Sequence, residues 1–155
     1  METVKVNGFS FKYSLGSKPA LKDINFTVNE GEFLAILGPS GSGKSTLMNM
    51  IGCMDSFDEG EYYLSGQPIH TMNDNKLTDI RNEYIGFIFQ KYHLISKYTI
   101  LRNVMMPLLI RGEGAAEAEV KARERLIQLG MGERMEHKPT ELSGGQQQRV
   151  AIARA

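Results

Sequence analysis

The chain has 155 residues, of which 41% are hydrophobic and 23% are charged, a composition typical of a soluble domain large enough to bury an apolar core. Its 18 basic side chains balance its 18 acidic ones, which leaves no basic field for nucleic acid, and its single cysteine excludes an internal disulfide framework and a cysteine cluster for zinc. No apolar run approaches the roughly 18 residues that span a bilayer, and the first residues lack a signal-peptide pattern. These features predict a cytoplasmic domain that binds no nucleic acid and does not insert into a membrane.

Short apolar patterns indicate strands in the first part of the chain. Apolar and polar residues alternate over residues 4–9 and again over residues 24–28, which predicts two antiparallel strands. The continuous apolar run 33–37 predicts a strand buried on both faces. A glycine-rich loop, residues 38–45, follows directly, and apolar spacing over residues 46–53 predicts a helix behind it. The order strand, glycine loop, helix is the context that a phosphate-binding loop requires.

Further along, the chain changes from mixed to helical character. The remaining predicted elements are strands at residues 61–65 and 84–89 and helices at residues 74–81, 100–110 and 115–129. Pro107 is expected to bend the helix that contains it. These patterns predict an α/β core over approximately residues 1–90 and a helical subdomain over residues 91–142.

The loop at residues 38–45 matches the pattern G-x-x-x-x-G-K-[ST]. Glycines in such a loop let backbone N–H groups turn inward around an anion, and the following helix directs its positive N-terminus at the same phosphates. Lys44 is expected to reach the β- and γ-phosphates, Ser45 to place its hydroxyl on Mg²⁺, and Thr46 to add a hydrogen bond to phosphate. A chance Gly-Ser turn would leave the flanking strand and helix unexplained. The sequence therefore predicts a nucleoside triphosphate site, for Mg-ATP, on Gly38, Pro39, Ser40, Gly41, Ser42, Gly43, Lys44, Ser45 and Thr46.

A second glycine motif, Leu142-Ser143-Gly144-Gly145-Gln146, stands before a helical run at residues 147–155. Ser143 supplies a hydroxyl donor, the two glycines permit close approach, and a helix N-terminus adds partial positive charge, so the motif has the parts of a second anion site. A Schellman-type turn would explain the glycines but not Leu142, Ser143 and Gln146 together. Downstream of a phosphate loop, this motif resembles the signature of ATP-binding cassette (ABC) ATPases.

The resemblance implies a single ABC ATPase domain over residues 1–155, of the α/β class: a P-loop NTPase core with an N-terminal antiparallel β part and a helical signature subdomain, closed by a signature helix at residues 143–155. It also implies a head-to-tail homodimer, in which ATP lies between the phosphate loop of one chain and residues 142–146 of the other. Over nearly the whole chain, the amino-acid sequence resembles the branch of this family that contains macrolide-export, lipoprotein-release, antimicrobial-peptide-export and cell-division proteins.

Two further positions match the family's pattern. Tyr13 corresponds to the aromatic residue that stacks on adenine, although a strand tyrosine packed on the sheet is the alternative interpretation. Gln90 corresponds to a glutamine that touches Mg²⁺ or the attacking water and couples to the membrane partner. The resemblance therefore makes Lys44 and Gln90 the candidate catalytic residues, and Ser45 and Gln90 the candidate metal ligands.

The residues that complete hydrolysis in the family are not found. Phosphoryl transfer to water needs a carboxylate that holds Mg²⁺ and a group that orients the nucleophile. No apolar strand ends in Asp or Asp-Glu, since residues 87–89 end in Gln90 and residues 105–110 end in Arg111. The histidines His70, His93 and His137 all precede the signature helix, so none matches the family's late switch histidine.

The last helical run reaches Ala155 without Gly, Asn or Pro to end it. We therefore expect the C-terminal part of the core to be missing from this sequence, including a central strand beside residues 33–37. A sheet that lacks a central strand exposes unpaired edges. The 155-residue chain is accordingly expected to fold poorly, to bind ATP weakly and not to hydrolyse it.

The expected function is the ATP-binding and, at full length, ATP-hydrolysing subunit of an ABC transporter, which powers a membrane permease by ATP-dependent dimerisation and lies on the inner face of the plasma membrane through that permease. One alternative is ATP-gated transmembrane signalling or mechanotransmission without cargo, and another is a non-hydrolysing fragment. A DNA-repair ATPase would separate the two motifs by coiled coils or zinc insertions, and a small-molecule kinase would leave residues 142–146 unexplained. The transported substrate stays open.

Overall fold

An antiparallel four-stranded sheet forms the N-terminal part of the chain in the computed structural model, which describes residues 1–13 and 19–155. Its strands are β1 (Glu2–Phe11), β2 (Leu21–Asn29), β3 (Glu59–Leu64) and β4 (Gln67–Pro68), in the spatial order β2-β1-β3-β4. At its centre, Val6 lies opposite Phe26 on one side and Tyr62 on the other. Val6, Phe9 and Tyr62 are completely buried. The alternating patterns at residues 4–9 and 24–28 and the predicted strand at residues 61–65 are thus confirmed.

Five α-helices and three short 3-10 turns complete the described elements. The helices are α1 (Lys44–Ile51), α2 (Asp74–Tyr84), α3 (Ile100–Ile110), α4 (Ala115–Gln128) and α5 (Gly144–Arg154). The 3-10 turns are Ile69–Thr71, Gly132–Arg134 and Pro139–Glu141. Pro107 lies inside α3 and does not end it. The chain is therefore an α/β protein whose helices agree closely with the predicted ones.

Two predicted strands are wrong. Residues 33–37 form no strand, and Phe33 and Leu37 are 97% and 90% exposed instead of buried on both faces. Tyr84 is the last residue of α2, and residues 85–89 have no regular structure. A strand exists only where a neighbour pairs with its backbone, and within residues 1–13 and 19–155 nothing pairs with either run. Both runs are largely apolar, but an apolar run becomes a strand only when another strand pairs with its backbone.

The described chain divides into two compact units, Met1–Arg81 and Asn82–Ala155. In the second unit, α3, α4 and α5 pack around an apolar core. Its buried members are Ile100, Leu101, Val104, Met105, Ala118, Ala122, Leu126, Met131, Met135, Leu142 and Val150. Asn103 is also completely buried, and its side chain hydrogen-bonds the backbone of Ile95 and Thr99. The polar side chain thereby fixes the segment that leads into α3.

In the first unit, hydrogen bonds hold the C-terminal end of α1. The Tyr62 hydroxyl donates to the Ile51 carbonyl at 2.8 Å, and Arg81 donates to the Cys53 carbonyl at 2.7 Å. Cys53 has a left-handed backbone, with φ of 53°, which ends the helix, and burial raises the pKa of its thiol to about 11. Cys53 is thus a free, buried side chain. These bonds fix the helix whose N-terminus follows the glycine-rich loop.

Candidate functional site

The phosphate loop, residues 38–45, runs into the N-terminus of α1. Gly41 and Gly43 have left-handed backbones, with φ of 79° and 89°, and Gly43 is the N-cap of the helix. A side chain at Gly43 would lie 2.7 Å from the carbonyl oxygen of Ala20, and one at Gly38 would lie 2.7 Å from the Ser42 hydroxyl. The first N–H groups of a helix have no partner within it and attract anions. The loop therefore needs its glycines for conformation and space, and it presents a helix N-terminus that fits phosphate.

Lys44 folds its side chain back over this loop. Its ammonium group donates to the carbonyl oxygens of Gly38 at 2.8 Å and of Pro39 at 2.7 Å, and it lies 3.4 Å from the Ser42 hydroxyl. These contacts place a full positive charge at the loop, beside the partial positive charge of the α1 N-terminus. Ser45 is exposed in the first turn of α1, as are Pro39, Ser40, Gly41 and Ser42 in the loop.

Tyr13 contacts the same helix through its hydroxyl group. The Tyr13 hydroxyl lies 2.9 Å from the hydroxyl of Thr46, which is 8% exposed. The Tyr13 ring packs edge-on against Phe11, with 4.8 Å between the ring centroids, and the side chain remains 53% exposed. Tyr13 is thus joined to the first turn of α1 and still presents an aromatic surface. Residues 14–18 lie outside the described residues.

The signature motif, residues 142–146, forms the start of α5. Ser143 is the N-cap: its hydroxyl oxygen accepts from the Gln146 N–H at 3.4 Å, and the Gln146 side chain accepts from the Ser143 N–H at 2.9 Å. This reciprocal pair is a capping box, which explains why Ser and Gln stand three residues apart. Leu142 is buried in the helical core, whereas Ser143, Gly144 and Gly145 are exposed. Leu142 therefore anchors the motif and leaves the helix N-terminus accessible.

Gln90 lies exposed in a turn that we call the glutamine loop, residues 89–93. The Tyr92 N–H donates to the Phe89 carbonyl at 3.0 Å, and the ring of His93 stacks on that of Phe89 at 4.7 Å. Arg154, in the last turn of α5, donates to the carbonyl oxygens of both Tyr92 and His93. Burial lowers the pKa of the Arg154 guanidinium. Sequence reasoning missed Arg154, since no local pattern links it to a turn about 60 residues earlier in the chain.

Metal ligands are the least developed part of the site. Within residues 1–13 and 19–155, no group of three or more His, Cys, Asp or Glu side chains could hold a metal ion. The Ser45 hydroxyl and the Gln90 amide oxygen are oxygen donors of the kind that Mg²⁺ accepts together with phosphate oxygens. Each of these residues thus offers an oxygen of the kind that Mg²⁺ binds, and the two lie in different units of the described chain. None of the helices in the described part of the chain has the length and apolarity needed to cross a membrane.

Comparison with known proteins identifies the relatives of this chain. A model of the family described as ABC transporter matches residues 21–155. The chain is 50% identical over 135 residues to the macrolide export ATP-binding/permease protein MacB of Shewanella sp. (strain W3-18-1). That aligned region covers 87% of this chain and 21% of the MacB protein. It is 51% identical over 152 residues to the uncharacterized ABC transporter ATP-binding protein YvrO of Bacillus subtilis (strain 168), which covers 97% of this chain and 66% of that protein.

The fold also matches solved cassettes. The ATP-binding cassette MJ0796, solved as a dimer in a post-hydrolysis state bound to ADP and Pi, superposes with a TM-score of 0.89 and 44% identity, over 97% of this chain and 68% of that one. The chain thus spans only part of the length of the proteins it matches. With the family model matched over most of the chain and a fold shared with solved cassettes, the chain belongs to the ABC transporter family as an ATP-binding cassette.

Proposed function

We propose that this chain binds Mg-ATP as the nucleotide-binding subunit of an ABC transporter and drives a membrane permease by ATP-dependent, head-to-tail dimerisation. The observation that carries the proposal is the presence of two accessible helix N-termini suited to phosphate, at the phosphate loop and at the signature motif. Relatives named as ATP-binding/permease proteins and a similar cassette solved as a dimer with ADP and Pi support it. The permease would hold the protein on the inner face of the plasma membrane.

On this proposal, residues 1–155 form one ATPase domain, with an α/β core over approximately residues 1–90, a helical subdomain over residues 91–142 and a signature helix over residues 143–155. The backbone of the phosphate loop would cradle the phosphates, and Lys44 would exchange its carbonyl contacts for phosphate oxygens. Ser45 and Gln90 would hold Mg²⁺, which, when bound, offsets charge on the phosphates.

The capping box supports a direct role for Ser143. Because its oxygen accepts the Gln146 N–H, its own O–H proton is left to donate to another group. The α5 N-terminus adds partial positive charge at the same place. An anion at this position would therefore meet a hydroxyl donor, backbone N–H groups and no side chain at Gly144 or Gly145. The γ-phosphate held by a second copy of the chain fits this chemistry.

Ser143→Ala tests the dimer. In the intact protein with a non-hydrolysable ATP analogue, we expect this change to weaken nucleotide-dependent dimerisation about tenfold, the loss of roughly one hydrogen bond to a charged group. Light scattering coupled to size exclusion measures the dimer. Thr99→Ala is the matched control, because Thr99 is also an N-cap, accepting from the Arg102 N–H at 3.2 Å, but lies outside the signature motif. A wild-type protein that stays monomeric, or equal weakening by both changes, would contradict the proposal.

Two substitutions of Tyr13 distinguish stacking of its ring on adenine from hydrogen bonding by its hydroxyl group. If its ring stacks on adenine, Tyr13→Ala should weaken ATP affinity about tenfold, since stacking of a base on an aromatic side chain contributes about 1–3 kcal/mol. Tyr13→Phe keeps the ring and loses the 2.9 Å contact with Thr46, so its affinity should stay near the wild-type value. Titration with a fluorescent ATP analogue measures both. If the two variants lose affinity equally, the contact with Thr46 matters and stacking does not.

The 155-residue polypeptide by itself is not expected to turn ATP over. Lys44, Ser45 and Gln90 can bind and position the nucleotide, but the described residues contain no carboxylate cluster for Mg²⁺. A phosphate-release assay on the purified polypeptide, with Lys44→Ala as the background, should therefore give no steady rate. Linear release above that background would overturn this expectation.

A further inference from the structure

Tyr92 of the glutamine loop lies near both ends of helix α5. At the C-terminal end, Arg154 Nη2 donates to the Tyr92 carbonyl at 2.8 Å, and Nη1 donates to the His93 carbonyl at 2.7 Å. At the N-terminal end, a Cβ added to Gly144 would lie 3.4 Å from the Tyr92 hydroxyl oxygen. Since α5 has 11 residues, it is about 16 Å long. The Tyr92 and Arg154 side chains together therefore follow the helix from its last turn to its first.

The loop is held in an unfavourable backbone conformation at this point. Tyr92 and His93 both have left-handed backbones, with φ of 59° and 47°. Such a conformation costs a non-glycine residue about 1–2 kcal/mol and persists where surrounding contacts enforce it. The carbonyl groups that Arg154 bonds belong to these same two residues. Arg154 thus contacts the loop where its shape depends most on outside support.

The geometry of Arg154 is not that of a residue that merely ends a helix. A cation in the last turn of a helix is stabilised by the helix's own carbonyl groups even when it faces water. The Arg154 guanidinium is instead partly buried, and two of its N–H groups donate to the glutamine loop. Bonds from a charged group contribute more than neutral ones. This contact therefore joins α5 to the loop and does more than complete α5.

We propose that Tyr92 and Arg154 are positioning residues that make the glutamine loop and the signature helix move as one body, so that a displacement at Gln90 is transmitted to Ser143. The inference rests on the proposed function, in which Gln90 meets the nucleotide of its own subunit and Ser143 meets that of the partner. Neither Tyr92 nor Arg154 needs to touch ATP. A side chain at Gly144 would lie in ordinary van der Waals contact with the Tyr92 hydroxyl, so the glutamine loop and the first turn of α5 are near neighbours.

Amide hydrogen exchange of the intact protein, measured without nucleotide, tests the Arg154 contact. Arg154→Gln should raise exchange of residues 89–93 about tenfold, because loss of bonds worth about 1.4 kcal/mol changes an opening equilibrium by that factor. Arg149→Gln removes an exposed arginine from the same helix and should leave that exchange unchanged. Arg154→Lys, which keeps the charge but not the forked donors, should fall between them and covers the case in which Arg154→Gln does not fold.

A double substitution tests the Tyr92 hydroxyl. Gly144→Ala places a methyl group in van der Waals contact with that hydroxyl, at 3.4 Å, and should lower exchange of residues 89–93 about threefold. Adding Tyr92→Phe removes the hydroxyl and should restore the wild-type value. Gly145→Ala is the matched control for this exchange, since nothing lies within 4 Å of a side chain there. An effect of Gly144→Ala that persists with Tyr92→Phe, or an equal effect of Gly145→Ala, would overturn the role of Tyr92.

ATP turnover distinguishes coupling from general support of the fold. Arg154→Gln should lower kcat about tenfold in the intact protein, with little change in KM for ATP and in the melting temperature. If the melting temperature falls together with kcat, Arg154 has a structural role, and the coupling is overturned. If the wild-type protein neither binds nor hydrolyses ATP, the proposed function fails, while the exchange results still decide whether loop and helix are joined.

Discussion

Replacing Lys44 with alanine is expected to weaken the affinity for Mg-ATP about a hundredfold, because a hydrogen bond to a charged group contributes about 1.5–3 kcal/mol and 1.4 kcal/mol is tenfold. The Lys44 ammonium lies 2.8 and 2.7 Å from the carbonyl oxygens of Gly38 and Pro39. It is therefore already held at the loop, and little side-chain freedom is lost when phosphate binds. Calorimetric titration with a non-hydrolysable ATP analogue and Mg²⁺ measures the change.

Two further variants make this result specific. Lys76→Ala removes an exposed lysine from α2 in the same unit and should leave the affinity unchanged. Lys44→Arg keeps the charge but replaces a compact ammonium group by a planar fork, so we expect it to recover only part of the lost affinity. An affinity for Lys44→Ala within twofold of that for Lys76→Ala would show that the phosphate loop does not bind the nucleotide.

The parts of the fold that the sequence predicts well are held by contacts between near neighbours. Residues 38–45 lead into α1 through Gly41 and Gly43, whose positive φ angles suit glycine. Ser143 and Gln146 cap α5 across three residues. Helix α3 begins after its own N-cap, Thr99, and has the predicted bounds of residues 100 and 110. In each case the residues that fix the structure lie within one turn of it, so the sequence pattern contains the cause.

Residues 33–37 show that an apolar run by itself does not establish a strand. Five consecutive apolar residues indicate a preference for burial, but a strand also needs a partner for its N–H and C=O groups. Within residues 1–13 and 19–155 nothing pairs with this run, and Phe33 and Leu37 are exposed. The apolar pattern therefore predicted a burial that the described residues do not provide.

Contacts between residues far apart in the chain could not be predicted at all. The Tyr13 hydroxyl meets that of Thr46 across 33 residues, and Arg154 meets the carbonyl of Tyr92 across 62. Arginine on a helix and tyrosine near a turn are both common on solvated surfaces, so neither residue carries a local signal of its partner. Their positions follow from packing, which only the folded chain contains.

Asn103→Ala is expected to lower the free energy of unfolding by about 3 kcal/mol, one of the larger effects of a single substitution. The Asn103 side chain is 0% exposed; its oxygen accepts from the Ile95 N–H at 2.7 Å, and its amide donates to the carbonyl oxygens of Ile95 at 3.1 Å and Thr99 at 2.9 Å. Alanine would leave these backbone groups without their partner and open a cavity beside α3. Urea denaturation followed by circular dichroism measures the loss.

Asn103→Asp and Asn75→Ala identify the cause. Aspartate keeps an acceptor for Ile95 but turns a charged oxygen toward the carbonyl groups of Ile95 and Thr99, so it should destabilise the fold at least as much as alanine does. Asn75 is exposed on α2, and its replacement should change the free energy of unfolding by less than about 0.5 kcal/mol. If Asn103→Asp were as stable as wild type, the donor bonds would contribute nothing.

Since Asn103 and Lys44 lie in different units, Asn103→Ala should lower stability and leave the ATP affinity of the folded protein intact, the reverse of Lys44→Ala.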